Sequence, residues 1–463
     1  MKLKIIILLS GILILFSVVS CLKIPDEEKE EDRKEIIIPD ENFDTNTQNI
    51  SVPFAVRINF SGGQTDVNNP YEERGVTVNV DRQNVTITST TLDMEVNYVL
   101  SGKTTNGFVK IYSEVRFGLV LNGVSILNPT GAAINIQSGK RGSVTLVDNT
   151  SNRLIDIGTF QITEDEERMN GTLYSEGQLI FGGNGSLTVY GNEGHAICVR
   201  DHMQINSGNI TVNNATSDGI HCRDYFEMNG GNVIINAQSD GVESTRQYMM
   251  INEGDLKIKS GNKGLKAAEN LTITGGRVEI ESIDDGIRAT GNLVITGGEI
   301  YCNSGKNGIV STEGVIAVTG GLIVTSAKRN VFNCGKTFSI TGGTAIGVGN
   351  ATTLPATSEC RQRTVVWGTS KFTADQLISI KSSDSELLTY RPPRAYSGNM
   401  ALVFTSPSLQ ANTSYTIYKG GTVSTAGNCI HGLYSGAVSS GGTAAATFTA
   451  ASMVTIVGNV MEL

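Results

Sequence analysis

Apolar and polar residues alternate from about residue 195 to 345, on both sides of a glycine that recurs every 22 or 23 residues. That glycine falls at Gly208, Gly231, Gly254, Gly276, Gly298, Gly321 and Gly343. A second mark, within a turn of the Asp/Asn-Gly-Ile type, falls at Ala196, Gly219, Gly241, Gly264, Gly286, Gly308 and Asn330. A fixed period of about 20–50 residues is typical of solenoids and propellers.

Each unit of the repeat predicts short strands, because the alternation has a period of two and no segment has a helical period. The glycines supply the positive φ that tight turns require. A unit of this length fits three short strands and three turns, which is one coil of a parallel β-helix. A propeller blade would need about 40–45 residues. The sequence therefore predicts an all-β fold.

Stacked coils place equivalent residues about 4.8 Å apart along the axis, so apolar positions should form inward ladders. The first predicted ladder is Ile210, Val233, Leu256, Val278, Ile300 and Ile323. The second predicted ladder is Ile220, Val242, Leu265, Ile287, Ile309 and Val331. Cys222 and Cys302 take inward positions in the same pattern, so we expect buried free thiols rather than disulfides there.

The repeat is weaker outside this range. Residues 95–195 keep the alternation and predict earlier, less regular coils, so we place the β-helix at residues 51–350. Residues 351–463 predict a β-rich C-terminal cap or extension, since a solenoid needs covered ends.

The first residues predict export. A basic start precedes an apolar stretch from Ile5 to Phe16, which is too short to span a bilayer as a helix. Val18 to Cys21 resembles a bacterial lipobox, so we predict a lipoprotein signal peptide at 1–20 and lipidation of Cys21. A plain signal peptide or an uncleaved anchor are the alternatives. Residues 21–50 predict an acidic, disordered tether.

The early Lys-x-x-Asp-Glu-Glu of that tether resembles the acidic export tags of surface lipoproteins, which predicts an outer-membrane, surface-exposed location. The formal net charge of −9 argues against a nucleic-acid partner.

An ordered set of motifs resembles a bacterial family of carbohydrate-binding-domain proteins. The motifs are Leu121-Asn-Gly-Val, Ser175-Glu-Gly-Gln-Leu-Ile, Gly185-Ser-Leu-Thr-Val, turns such as Asp285-Gly-Ile, the stretch LQANTSYTIY at 409–418, and His431-Gly-Leu-Tyr. The resemblance spans roughly 50–463. It implies a right-handed parallel β-helix that contains calcium and binds plant-type polysaccharides, on a fold shared with pectate lyases.

An acidic ladder is the first candidate site. The position before the second mark holds His195, Asp218, Asp240, Lys263, Asp285, Asn307 and Arg329, and Asp284 lies beside Asp285. Carboxylates on neighbouring coils could share one calcium ion, whose ligand distances are about 2.4 Å. We therefore predict calcium at Asp218, Asp240, Asp284 and Asp285. The alternative is that Asp before Gly simply forms turns.

A basic and aromatic ladder is the second candidate. Arg200, Arg223 and Arg246 precede His202, Tyr225 and Tyr248 by two residues, at the same phase of three coils. Guanidinium groups pair with carboxylates and rings offer flat faces to sugars, so these six residues are the predicted carbohydrate site. An extra residue within 241–254 could move Arg246 out of line. Alternatively, the arginines pair with Asp201 and Asp224, and the rings pack on neighbours.

A mixed ladder of His221, Glu243, Lys266 and Arg288 is the third candidate. Its opposite charges could satisfy one another, or a lysine could act as the base of a calcium-dependent pectate-type lyase. The favoured function is a non-catalytic, surface-anchored lipoprotein that binds plant-type or acidic polysaccharides. The lyase and a structural adhesin without a glycan ligand are the alternatives.

Overall fold

The computed structural model describes residues 36–39, 43–158, 169–383, 385–425 and 427–463. The predicted signal peptide, Cys21 and most of the predicted tether lie outside these ranges. The described chain is almost entirely β, with one short 3-10 helix at Glu72–Arg74. It winds into a parallel β-helix of about 11 coils of ~23 residues, which confirms the predicted fold class. Over the described residues, no helix combines the length and apolar content needed to cross a membrane.

Three faces run along the β-helix, and we call them sheets A, B and C. Sheet A follows the second mark and, from Asn84–Ser89 onward, stacks one short strand per coil in chain order, with Val76–Asp81 added antiparallel at its first edge. Its strands are Val76–Asp81, Asn84–Ser89, Phe108–Ser113, Ile134–Ile136, Gly171–Ser175, His195–Val199, Ile220–Cys222, Val242–Ser244, Leu265–Ala267, Ile287–Ala289, Ile309–Ser311 and Phe332–Cys334.

Sheet B comes next in each coil and precedes the recurring glycine. Its short strands are Gly142–Leu146, Leu179–Gly183, Met203–Ile205, Leu271–Ile273, Leu293–Ile295, Ile316–Val318 and Phe338–Ile340. Longer strands continue from sheet B past the glycine bend into sheet C, namely Val96–Thr104, Phe117–Asn128, Phe226–Ala237 and Met249–Ser260. Ala55–Ser61 pairs in parallel with Val96–Thr104 at the start of the stack.

Sheet C follows the glycine. Its remaining strands are Ser151–Asp156, Ser186–Gly191, Asn209–Ala215, Arg277–Ser282, Glu299–Ser304, Leu322–Ala327 and Thr344–Gly349. The bend between sheets B and C depends on glycine. Gly276 has φ +73°, and a Cβ there would lie 2.6 Å from the carbonyl oxygen of Gly254. Any side chain at this position would collide with the coil below, which is why the mark recurs.

The core lies inside the coil and follows the predicted ladders. Ile210, Val233, Leu256 and their successors are buried and pair in register, which confirms the first ladder. The second ladder is confirmed from Ile220 to Ile309, but its last member is wrong. Phe332, rather than Val331, pairs with Ile309, because this coil holds one more residue than the counting assumed. Cys222 and Cys302 are buried free thiols, as predicted.

Antiparallel strands close both ends of the stack. At the first end, Val76–Asp81 pairs with Asn84–Ser89, and Gln64–Asn68 pairs with Ala55–Ser61. At the other end, Met400–Thr405 pairs antiparallel with Thr344–Gly349. Thr364–Thr369 and then Val454–Gly458 extend sheet C beyond it.

The rest of the C-terminal segment forms further antiparallel strands. Six of them make one sheet: Ile378–Lys381, Glu386–Tyr390, Ser414–Lys419, Asn428–Ile430, Leu433–Ser435 and Thr443–Thr449. Thr422–Thr425 pairs with Val438–Ser440. A second apolar core joins this segment to the outer face of sheet C through residues such as Tyr301, Val324 and Trp367. The Tyr396 hydroxyl donates to the carbonyl oxygens of Ala327 and Val348 at 2.9 and 3.1 Å. The segment therefore lies along the last coils as well as beyond them.

Candidate functional site

The acidic and mixed ladders lie side by side on the outer face of sheet A. The mixed ladder is in register from His221 through Glu243 and Lys266 to Arg288. The acidic ladder lies three residues earlier in each coil, at the turn that enters each strand. Its last predicted member is wrong, since Asn330, rather than Arg329, reaches Asn307, with its amide nitrogen 2.8 Å from the Asn307 side-chain oxygen. The same one-residue shift that puts Phe332 in place of Val331 puts Asn330 in place of Arg329.

Asp218 joins the two ladders at one end. Its Oδ2 lies 3.3 Å from Nδ1 of His195 and 2.9 Å from Nδ1 of His221. Its Oδ1 accepts the backbone N–H of Asp240 at 3.0 Å. Burial alone would raise the pKa of the Asp218 carboxyl, but the hydrogen bonds from the two histidines outweigh burial and lower it. Asp218 is therefore an ionised, buried carboxylate at neutral pH.

Lys266 joins the ladders at the next coils. Its Nζ hydrogen bonds to Glu243 and lies 3.5 Å from Oδ2 of Asp240. Burial lowers the pKa of Lys266, whereas the hydrogen bond and charge of Glu243, with Asp240, raise it, and the net shift is upward. Burial and the nearby charge of Asp218 raise the pKa of Asp240. Lys266 is thus held as an ammonium ion between two carboxylates.

Ion pairs neutralise the carboxylates of the later coils. Asp284 lies 3.2 Å from Nζ of Lys263 and 3.0 Å from Nζ of Lys306. Asp285 is fully buried and contacts Arg288 at 2.8 Å. The structure therefore unites the acidic and mixed ladders into a single network of opposite charges.

The described residues fit calcium poorly. Calcium takes six to eight oxygen ligands, but the oxygens of Asp218 and Asp240 already accept hydrogen bonds from backbone amides and face side-chain cations. Lys266 occupies the position between Asp240 and Glu243 that a cation would take. Asp284 and Asp285 are paired with lysine and arginine. A calcium ion would have to displace these groups.

The three predicted rings form a continuous stack where each coil enters sheet B. His202 and Tyr225 lie with ring centroids 4.1 Å apart and 14° between their planes. Tyr225 and Tyr248 lie 4.7 Å apart at 10°. Met203, Phe226 and Met249 beside them are fully buried, so the rings point outward as predicted. Both faces of Tyr225 are covered by its neighbours, so the stack offers mainly ring edges and polar tips to solvent.

The arginine row is shorter than predicted. The backbone N–H of Arg223 bonds to Val199, and that of Thr245 bonds to Cys222 in the same manner. Thr245 therefore takes the position above Arg223, and Arg246 is the extra residue of its coil. Arg223 contacts Asp224 at 3.3 Å, and His202 contacts Asp201 at 2.7 Å. The first contact matches the alternative in which the arginines pair with the acids of their own turns, although Arg223 keeps about a third of its side chain exposed, whereas Asp201 pairs with His202 rather than with an arginine.

Sequence reasoning missed Glu227, which accepts a hydrogen bond from the Tyr248 hydroxyl at 2.8 Å. The amide of Gln204 lies 3.4 Å from the same carboxylate. The signal was present in the alternation: Glu227 follows Tyr225 by two residues and must point to the same face. An acidic group thus borders the ring stack.

The chain is similar in sequence to proteins of a known family. It matches the sequence model of the family described as carbohydrate-binding domain-containing protein over residues 81–282 and 263–452. The protein belongs to this family. A relative of that description from Acetivibrio thermocellus is 30% identical over 133 residues, which are 28% of this chain and 46% of the relative. The chain thus spans about half the length of that relative.

Among solved structures, the chain is similar to one described as a polysaccharide lyase-like protein from C. thermocellum, gadolinium derivative. The two chains are 24% identical, with a TM-score of 0.39, over 62% of this chain and 97% of the other.

Proposed function

We propose that this protein is a surface-anchored lipoprotein that binds plant-type or acidic polysaccharides and does not cleave them. The observation that carries the proposal is the stack of His202, Tyr225 and Tyr248 beside Arg200 and Arg223, on consecutive coils of a chain in a carbohydrate-binding family. Anchoring is supported by the sequence alone, through the apolar stretch that ends at Cys21.

A rigid stack suits an extended ligand. Coils repeat about every 4.8 Å, so a chain of sugars lying along the axis meets the same groups several times. Because the ring faces pack on one another, the stack would contact a sugar through ring edges and at its two free ends. Arg223 would exchange its long contact with Asp224 for a carboxylate of the ligand, which guanidinium binds in a forked geometry.

The absence of catalysis is supported by the state of the candidate bases. A base for proton abstraction must be unprotonated, whereas hydrogen bonding to Glu243 raises the pKa of Lys266 despite burial. Lys263 and Arg288 contact Asp284 and Asp285. Each of these groups is engaged with a carboxylate, which leaves none placed to accept a proton.

The test is calorimetric titration of the full-length chain with polygalacturonate at low and high salt. Arg223→Ala should weaken binding about tenfold at low salt, the equivalent of one charge-assisted hydrogen bond, and the difference should shrink as salt screens the charges. Arg277→Ala is the matched control, since Arg277 is an exposed arginine on sheet C, away from the ring stack. Arg246→Ala should weaken binding by less than Arg223→Ala and by more than Arg277→Ala.

Two results would overturn the proposal. Equal losses in Arg223→Ala and Arg277→Ala would place the ligand on another face. Formation of an ultraviolet-absorbing unsaturated product, abolished by Lys266→Ala, would show the lyase instead. Tyr225→Phe should keep the stack and retain binding, whereas Tyr225→Ala should weaken binding of neutral and acidic glycans alike.

A further inference from the structure

The two histidines at the first end of the sheet A network have no role in the glycan proposal. His195 and His221 lie on neighbouring coils with ring centroids 4.3 Å apart. One nitrogen of each ring and one carboxylate oxygen of Asp218 lie within 4.8 Å of one another. Oε2 of Glu243 lies 3.3 Å from Nδ1 of His221. Both histidines therefore converge on Asp218, and Glu243 approaches the same group through His221.

We propose that His195, Asp218, His221 and Glu243 form a binding site for a divalent transition-metal ion of the zinc class. Zinc binds His nitrogen and carboxylate oxygen at about 2.0–2.2 Å in a tetrahedron, whose ligands are about 3.3–3.6 Å apart. The separations from Asp218 Oδ2 to the two histidines are 3.3 and 2.9 Å, and that from His221 to Glu243 is 3.3 Å. These three separations are close to those of a zinc site, and Nδ1 of His195, which accepts the backbone N–H of Asp218 at 3.2 Å, would exchange that hydrogen bond for the metal.

The surrounding groups orient the carboxylates toward the histidines. Oδ1 of Asp218 accepts the backbone N–H of Asp240, which leaves Oδ2 directed at His195 and His221. Oε1 of Glu243 accepts from Lys266, which leaves Oε2 directed at His221. Supporting hydrogen bonds of this kind are typical of metal sites, because they fix each ligand in the position that the metal needs.

Charge also favours a divalent cation. Asp218, Asp240 and Glu243 carry three negative charges and Lys266 supplies one positive charge, so a net negative charge faces the two histidine rings. Without a metal, one N–H of His221 must serve both Asp218 at 2.9 Å and Glu243 at 3.3 Å. A metal ion would satisfy both carboxylates at once.

The ligand types separate this site from a calcium site. Imidazole suits zinc, copper and nickel, whereas calcium takes oxygen ligands. The ligand side chains are largely but not fully covered, with 6–18% of their surface exposed, so an ion could enter from solvent. The site does not depend on the glycan proposal, since its residues are separate from the ring stack.

The experiment is titration of ZnCl2 into the full-length chain, purified without a polyhistidine tag and stripped of metal. We expect saturable binding of one ion, a rise in melting temperature, and a four-coordinate visible spectrum with Co2+. His195→Gln and His221→Gln should each weaken binding at least tenfold, since loss of even a supporting group costs about 10–100-fold. His431→Gln is the matched control, because His431 lies in the C-terminal segment against Tyr301.

Glu243→Gln provides a second variant of nearly unchanged shape, in case a histidine substitution disturbs folding, and it should also weaken binding. Circular dichroism would verify that each variant remains folded. Absence of saturable zinc binding to the unsubstituted chain would overturn the proposal. So would unchanged binding in His195→Gln and His221→Gln, or an equal loss in His431→Gln.

Discussion

Two regions of the same β-helix, coils 195–260 and coils 263–335, share a scaffold and differ in what decorates it. Their inward ladders are equally buried, from Ile220 in the first region to Ile287 and Ile309 in the second. On the outer face of sheet A, the first region carries histidines and acids, whereas the second carries paired charges such as Arg288 with Asp285.

The aromatic stack is confined to the first region as well. In the two coils after Tyr248, Asn270 and Asn292 take the equivalent outward position at the start of sheet B. The backbone N–H of Met249 bonds to the carbonyl oxygen of Asn270, and that of Leu271 bonds to the carbonyl oxygen of Asn292. The comparison shows that the backbone repeat decides where side chains point, while the occupant of each ladder position decides what the surface can bind. Both proposed binding sites therefore lie in the first region, where the ladders hold histidine, tyrosine and acidic side chains.

Core substitutions should have the largest effect on stability, and the effect should be similar in both regions. Ile220→Ala and Ile287→Ala each remove a fully buried side chain from the same ladder. Each should lower the free energy of unfolding by about 2–5 kcal/mol, through lost burial and a residual cavity. Chemical denaturation measures both. A large difference between the two would show that the regions are not equivalent scaffolds.

Asp156, a buried carboxyl outside both regions, should show how burial changes the pKa of a carboxyl that has no histidine partners. Burial raises the pKa of Asp156 from 3.8 to about 7, against hydrogen bonds from Asn192 and others. The folded state therefore keeps a proton that the unfolded state has released, so stability should fall as pH rises from about 4 to 7. The loss is at most about 4 kcal/mol, at about 1.4 kcal/mol per pH unit.

Asp156→Asn should remove this dependence and be more stable than the unsubstituted chain at pH 8. The measurement is the unfolding free energy of both proteins at pH 4, 6 and 8. Parallel pH profiles for the two proteins would contradict the prediction, and would show that Asp156 is ionised in the folded state.

Calcium should have the smallest effect, because the predicted ligands are paired with cations of the chain. Adding CaCl2 to metal-stripped protein should leave the melting temperature unchanged, since a ligand stabilises the folded state only if it binds it. If calcium raises the melting temperature and Asp240→Asn abolishes that rise, the sequence-based calcium prediction holds and the fit of Lys266 between Asp240 and Glu243 must change on binding.

The fold was predictable because two features of the sequence repeat in every coil. The glycine mark reports the bend between sheets B and C, and the alternation reports which residues face inward. Register failed only where the prediction assumed the wrong position for the extra residue of a 23-residue coil. The coil that ends at Phe332 displaced Val331 and Arg329 from their predicted ladders, and the inserted Arg246 left Thr245 above Arg223.

The candidate site was harder to predict, because its contacts run across ladders rather than along them. Counting placed Asp218 and His221 in different ladders, and the structure brings their side chains to 2.9 Å. The turn that enters sheet A directs the acidic side chain toward the strand that follows it. The spacing of residues in the sequence does not predict this local geometry. The covered faces of Tyr225 likewise follow from stacking in three dimensions.

The antiparallel strands at the two ends of the stack have a consequence for the solubility of the molecule. A parallel stack would otherwise expose open rows of backbone N–H and C=O groups that could pair with another copy and grow into a fibre. Gln64–Asn68 and Val76–Asp81 cover the first rows, and Met400–Thr405 covers the last strand of sheet C. Each of these three strands pairs antiparallel with its neighbour, so another copy cannot extend the parallel stack directly from the strand that it covers, and sheet C continues beyond Met400–Thr405 only through strands of the same chain.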